Sequence, residues 1–189
     1  VICTKCLKDI SKNDNGLYCL SGTTVRELLN FCKKNSLGGV EYLAGIPATL
    51  GGLALMNGGI NSNHIEENIL SVRIYDGKIK DLSSENCNFK IKHSIMRDIN
   101  CVVLGVNLSL SAVPRESVEN EIRNYLALRH NQPKGKSCGC VFKNPVGLSA
   151  GKLIEDAGLK NYRIGGAIVS EKHANFIINE NATSSDVYK

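Results

Sequence analysis

The stretch best suited to chemistry runs from Glu41 to Ile60, EYLAGIPATLGGLALMNGGI. It holds Gly45, Gly51, Gly52, Gly58 and Gly59 together with Pro47, and it contains no Lys or Arg. Backbone N–H groups free of neighbouring Cβ atoms can cup an anion or lie flat against a large ring, and a helix opening after Gly51 would aim its dipole at a phosphate. A buried glycine-rich turn is the competing reading of the same residues. No Gly-Lys-Ser/Thr follows, so the stretch is not a P-loop, and the GxGxxG spacing is missing. Other reactive side chains read more plainly. Cys3-Thr-Lys-Cys6 is half a zinc site, but the other close pair, Cys138-Gly-Cys140, has the wrong spacing and lies far along the chain, so no metal is expected. His173 has no Asp or nucleophile at triad-like spacing and reads as a loop histidine rather than a base or ligand. Lys92, taken by itself, is an ordinary solvated lysine at a strand end.

These residues need elements to hold them. Residues 1 to 22 read as a strand, a polar loop from Ser11 to Gly16 and a second strand through Leu17–Leu20. A helix is well signalled next: Thr24 and Glu27 make a capping box, Val25, Leu28, Leu29 and Cys32 share one face, and Gly38-Gly39 supplies the stop. It delivers the chain to Gly45, and Gly51-Gly52 then opens a short helix through Met56. Ser71–Tyr75 alternates as a half-buried strand, Asp76-Gly77 turns, and Lys78–Lys80 returns. A longer strand spans Cys101–Val113. Pro114 marks a domain boundary and starts an amphipathic helix carrying Val118, Ile122, Tyr125 and Leu126 to about Arg129. Ser149–Ala157 reads as a helix with Leu153, Ile154 and Ala157 inward and a stop at Gly158; short strands follow at Ala167–Val169 and Asn175–Ile178. The fold class is α+β, with domains at 1–113 and 114–189.

Composition narrows the function classes. At 189 residues the chain suits one large domain or two small ones. It has no run of eighteen apolar residues and no charged-then-apolar opening, so neither a membrane span nor a signal peptide is expected, and the protein is read as soluble and cytoplasmic. The formal charge of +5 is spread out, without the basic stripe and interleaved aromatics of a nucleic-acid surface, which makes a small polyanion the better partner. The eight cysteines sit at irregular spacings in a chain too large to need staples, so most are expected to be reduced and buried. Both ends read as cut: the chain opens on Val1 in what looks like the end of a strand, and Thr183-Ser-Ser-Asp186 announces a helix just before Lys189.

A second stretch, Gly139-Cys-Val-Phe-Lys-Asn-Pro145, gives the first its meaning. Together they resemble the flavin-dependent UDP-N-acetylenolpyruvoylglucosamine reductases (MurB), which carry a GIPG(S/T)VGG…MNAGA segment and a GSxFKNP segment. The likeness covers nearly the whole chain from Tyr18 onward, including residues 151 to 179. It implies part of a FAD-binding domain of the vanillyl-alcohol-oxidase-like type followed by a smaller α+β substrate-binding domain. The family's N-terminal flavin segment and its C-terminal catalytic Glu have no counterpart in these residues.

What the resemblance implies for chemistry can be carried over position by position. NADPH reduces FAD and leaves, and a UDP-linked enolpyruvyl sugar then takes the hydride, giving UDP-N-acetylmuramate for peptidoglycan synthesis. Flavin contacts fall on Gly45, Ile46, Pro47, Ala48, Thr49, Gly51, Gly52 and Asn57. Lys92 stands where the family has an Arg that stabilises negative charge on the substrate; it keeps the charge but loses the planar fork. Cys140 replaces the Ser that protonates the product, and a thiol, with a reference pKa of about 8.5, can donate a proton at neutral pH. It should also make the protein more sensitive to peroxide than a Ser-bearing relative. Arg129, Gln132, Lys143 and Asn144 are the expected substrate or cofactor contacts. A related flavoprotein with another substrate, and an inactive nucleotide-binding fragment, are the alternatives, and oligomeric state is not legible.

Overall fold

The computed structural model describes residues 2–13, 16–60, 62–130 and 132–189. The chain divides into two compact units, Val1–Leu128 and Arg129–Lys189.

The first unit is built on five antiparallel strands: β1 (Ile10–Asn13), β2 (Gly16–Leu20), β6 (Ile69–Tyr75), β7 (Ile79–Ser83) and β8 (Val102–Leu108). Their order is β1-β2-β8-β6-β7, so β8 lies between the two hairpins. Two short pairs accompany the sheet, β3 (Leu37–Gly38) with β9 (Ser111–Ala112) and β4 (Gly59–Ile60) with β5 (Asn63–His64). Helices α1 (Val25–Asn35), α2 (Leu50–Met56) and α3 (Arg115–Leu128) complete the unit. Its core gathers Leu17 and Cys19 from β2, Leu28 and Cys32 from α1, Leu50 and Leu53 from α2, Val72 and Ile74 from β6, and Val106 and Leu108 from β8. Apolar residues on alternate positions of β2, β6 and β8 and on one face of α1 make much of that core, which is the periodicity expected of elements with a single buried face.

Several sequence expectations change. The first strand is β1, inside the segment read as polar loop; Asp14 and Asn15 of that loop lie outside the described residues, as does Val1. α1 does not run to Gly38-Gly39 but ends at Ser36, whose left-handed backbone (φ 54°) closes the helix with its N–H on the Cys32 carbonyl. The Cys101–Val113 strand is broken after Leu108, and its last part pairs separately as β9. The boundary placed at Pro114 moves to the residues after Leu128, because α3 turns Val118, Ile122 and Tyr125 onto the first unit's core instead of opening the second.

The second unit holds α4 (Ala150–Asp156), a three-stranded antiparallel sheet of β10 (Arg163–Ile164), β11 (Ala167–Val169) and β12 (Ile177–Asn179), and α5 (Ser184–Tyr188). α4 buries Ala150 and Gly151, not Leu153 and Ala157, which are exposed. The helix announced by Thr183 forms with both halves of its capping box. Both units mix helices with antiparallel sheet, which makes the fold α+β as expected. Among the described residues no helix is long and apolar enough to cross a membrane.

The cap that starts α1 is also an acid sensor. Glu27 accepts hydrogen bonds from the Thr24 backbone N–H and hydroxyl, each at 2.7 Å, and pairs with Lys8 at 3.0 Å. The Thr24 hydroxyl is the main cause of a fall in its pKa from 4.5 to about 2, with the Thr24 backbone and Lys8 adding to it. A folded pKa below the unfolded one contributes stability that is complete above pH 4.5 and lost as pH falls through about 2. Glu27→Gln should therefore lower stability at neutral pH by under about 1 kcal/mol, the exposure of the pair limiting the effect. It should also flatten the acid limb of the urea midpoint against pH.

Candidate active site

In the first unit the glycine-rich run is stitched to the start of α1. Val25 donates its N–H to the Ala48 carbonyl, Leu50 to that of Thr23, and Gly51 to that of Ser21, at 2.8–3.0 Å. The Thr49 hydroxyl caps α2 by accepting from the Gly52 N–H at 3.4 Å. The amides of Leu50 and Gly51 are thus engaged within the chain, while that of Gly52 makes only the long bond to Thr49. Gly51 serves packing: a Cβ there would lie 2.8 Å from that of Ser21. Gly52 is exposed, with only the Thr49 hydroxyl near its Cβ direction.

What remains open to a ligand is the entry to that run. Gly45 (φ 79°) and Pro47 are exposed, Ile46 and Ala48 are half-buried, and the amides of Gly45 and Thr49 have no hydrogen-bond partner among the described residues. Ala44–Pro47 form one wall of a groove of about 450 Å³, completed by Val25, Arg26, Leu29 and Lys33 of α1 and Ile122 and Leu126 of α3. Apolar walls with two cations fit a flat ring carrying an anionic tail, and the volume falls in the range of ligand sites.

Asn57, assigned a cofactor contact by the family resemblance, is bonded inside the protein. It ends α2 in a left-handed conformation (φ 45°) and is 1% exposed. Its amide is engaged at both ends inside the protein: Nδ2 donates to the Lys90 carbonyl and Oδ1 accepts from the Glu66 N–H, both at 3.2 Å. Through Lys90 it fixes the turn that carries Lys92. That turn is closed by two bonds between Lys90 and His93, each N–H donating to the other's carbonyl at 3.0 Å. Arg97 Nη1 donates to the Lys92 carbonyl at 3.0 Å, and the Ser94 hydroxyl ties the chain back to the Leu55 carbonyl at 2.8 Å. Lys92 is thus not at a strand end. It sits at φ 53°, a conformation uncommon for a residue with a Cβ, held there by three side-chain struts.

The second unit holds Cys140 on an equally fixed backbone. Cys140 pairs with Phe176 in an isolated antiparallel bridge, and Val141 donates to the Asn175 carbonyl at 2.9 Å. Asn175, 2% exposed, then clamps Phe142 from both sides: Oδ1 accepts from its N–H and Nδ2 donates to its carbonyl, both at 2.9 Å. His173 supports the clamp by accepting the Asn175 N–H on Nδ1 at 3.2 Å, with its ring 4.8 Å from that of Phe176. A loop-stabilising histidine, as the sequence suggested, is what the structure shows. Asn175 was missed. Its only signal in the sequence was an Asn beside a strand, where an amide can imitate a backbone pair.

Cys140 and Lys143 are exposed on this segment, while Asn144 accepts the Ala150 N–H at 3.0 Å and so closes the loop onto α4. Arg129 and Gln132 are brought together, Nη1 to Oε1 at 3.3 Å. Arg129 Nε is buried without a hydrogen-bond partner among the described residues, and burial lowers the Arg129 pKa. The cysteines divide differently from expectation: Cys19, Cys32 and Cys87 are buried and Cys101 partly so, but Cys3, Cys6, Cys138 and Cys140 are exposed. Among the described residues no group of His, Cys, Asp and Glu is placed to hold a metal. Removing the clamp gives a direct test of its role. Asn175→Ala should speed hydrogen exchange at the Phe142 amide by about ten- to a hundredfold, the loss expected when a buried bond is left unmade.

Comparison with known proteins follows the same two segments. A family model described as the C-terminal domain of UDP-N-acetylenolpyruvoylglucosamine reductase matches residues 131–189. The UDP-N-acetylenolpyruvoylglucosamine reductase of Streptococcus pneumoniae strain Hungary19A-6 is 38% identical over 183 residues, covering 95% of this chain and 60% of the relative. That of strain TIGR4 has the same identity, with 58% of the relative covered, so the chain spans about three fifths of the length of these relatives. The crystal structure of the reductase from Thermus caldophilus superposes with a TM-score of 0.86 at 34% identity, over 94% of this chain and 67% of that one. With the glycine-rich run, the Lys92 turn and the Cys140 segment all present, the chain belongs to the UDP-N-acetylenolpyruvoylglucosamine reductase family.

Proposed function

We propose that this chain carries residues for the NADPH-driven, FAD-dependent reduction of an enolpyruvyl UDP-sugar to UDP-N-acetylmuramate, a cytoplasmic step of peptidoglycan precursor synthesis. The observation that carries the reading is the clamped Cys140: a proton-donating group, exposed, on backbone made rigid by a buried amide. A general acid needs a fixed position more than it needs a particular element, and the Asn175 clamp supplies it.

Bound FAD would supply the hydride, and the groove beside Gly45, Ile46 and Pro47 is where its contacts are assigned, with Ala48 and Thr49 next to them. Gly51 and Asn57 also shape that run from inside the protein, and Gly52 is exposed beside it. In the first unit Lys92 is given the task of holding the negative charge that develops on the enolpyruvyl carboxylate; its turn is fixed, so its ammonium starts from a set root. In the second unit Cys140 delivers the proton to the carbon beside the one that takes the hydride. Arg129, whose buried Nε lacks an acceptor, with Gln132, Lys143 and Asn144, is assigned to the phosphates and carboxylate of the substrate. The partner is a small nucleotide sugar, not a nucleic acid.

The test is substrate-dependent oxidation of NADPH by the chain supplied with FAD and UDP-N-acetylglucosamine enolpyruvate. Cys140→Ser should retain much of the turnover and Cys140→Ala should lose about 10²–10⁴-fold, the usual worth of a positioned acid. Equal rates for the parent and the Ala variant would remove Cys140 from the mechanism. Lys92→Met should cost about 10²–10³-fold, with Lys92→Arg restoring the rate; a Met variant as fast as the parent would dismiss the charge-holding role.

A further inference from the structure

Cys140 has a second thiol beside it that the reductase chemistry does not use. The segment Ser137-Cys138-Gly139-Cys140 is suspended between two anchors, the Lys136 carbonyl accepting the Asn179 N–H at 2.8 Å and the Val141 N–H donating to the Asn175 carbonyl at 2.9 Å. Cys140 is bridged to Phe176, whereas Cys138 belongs to no helix or strand. Both thiols are exposed and neither is in a disulfide. Gly139 between them has φ 83°, and a Cβ placed on it would meet nothing within 4 Å, so the backbone can bend there without collision.

We propose that Cys138 and Cys140 form a site of reversible oxidation, in which Cys138 resolves the sulfenic acid that peroxide makes on Cys140. Two residues of chain hold their Cα atoms at most about 7 Å apart, and a disulfide needs about 4.4–6.8 Å. A modest bend at Gly139 meets that requirement. In the first step the Cys140 thiolate attacks hydrogen peroxide, forming an S–O bond as the O–O bond breaks; hydroxide leaves and is protonated to water. In the second, the Cys138 thiolate attacks Cys140 Sγ, the S–S bond replaces the S–O bond, and a second water departs. Two thiols have given up two electrons and two protons, and one peroxide has become two waters. A bridge across so short a loop is strained and exposed, which is the kind that small thiols reopen. While it is closed, Cys140 has no proton to donate; this consequence rests on the proposed function, but the disulfide itself does not.

Other thiols do not confuse the site. Burial raises the pKa of Cys19 and Cys32 to about 12 and that of Cys87 to about 11, which keeps them inert to peroxide at neutral pH. Cys3 and Cys6 are exposed, but cleavage after lysine puts them in two separate peptides, whereas Cys138 and Cys140 fall together in the one from Ser137 to Lys143.

The experiment treats the folded chain with hydrogen peroxide at neutral pH, blocks free thiols and measures the mass of that peptide with and without dithiothreitol. The expected result is a peptide lighter by two hydrogen atoms, restored by the reductant; in Cys138→Ser the same peptide should instead gain oxygen atoms that dithiothreitol removes only in part. A parent peptide that only gains oxygen, or that is unchanged while Cys3 and Cys6 oxidise, would overturn the proposal. Because mass is the readout, a chain that proves inactive as a reductase still decides the matter.

Discussion

The first unit depends on one close approach, that of Gly51 to Ser21. The two backbones are bonded at 2.8 Å, and there is no room for a Cβ between them. With α2 held against β2 this way, its N-terminal amides face protein rather than solvent, and both ends of the helix acquire fixed positions. At the front, the chain must leave α2 through Thr49 and Ala48 along the start of α1, which turns Gly45–Pro47 outward as the wall of a groove. At the back, Asn57 is buried where its amide can reach Lys90, and the Lys92 turn is set. Gly51 is therefore first a packing device, and its packing fixes where the flanking residues lie.

The second unit solves the same problem with fewer apolar side chains. Its buried hydrophobic residues are Ala150, Ala167, Ala174 and Phe176, a small set for burial to stabilise. Directional bonds carry more of the order: Asn175 with Phe142, Asn144 with the start of α4, and Thr183 with Asp186 at the start of α5. Such bonds are individually modest, yet each is costly to break when buried. The result is a segment fixed by its backbone whose side chains, Cys138 and Cys140 among them, stay exposed.

Local signals in the sequence translated well where they were self-contained. The Thr24–Glu27 box, the turn at Gly77, the limits of β11 and the start of α4 and α5 each depend on residues a few positions apart, and the structure has them. Features that depend on distant partners were hidden. Nothing near Asn175 in the chain announces Phe142, thirty-three residues earlier, and nothing near Asn57 announces Lys90. Amphipathic α3 looked the same whether it opened a second domain or closed the first, because periodicity shows that a face is buried and not against what. The left-handed Ser36 was passed over for the glycines that follow it, since glycine is the usual residue in that conformation. For the candidate site, the family pattern located the segments, but which of their residues meet a ligand and which only support it required the hydrogen bonds.

Those bonds also bear on the two positions where this chain departs from its family's pattern. Lys92 keeps a cation on a turn whose root is held by Asn57, Ser94 and Arg97, so the change of head group leaves the backbone that presents it intact. Cys140 changes only a side-chain atom on backbone that is fixed by Phe176 and Asn175, neither of which contacts the sulfur through the bonds that hold the segment. In both cases the scaffold is indifferent to the side chain it displays, which is the condition under which a site can exchange Arg for Lys or hydroxyl for thiol without refolding. What changes is the displayed group alone: an ammonium without a guanidinium's bidentate fork at Lys92, and a softer, more oxidisable atom than a hydroxyl at Cys140. A scaffold built this way depends more on Gly51, Asn57 and Asn175, which hold its backbone, than on the side chains it displays.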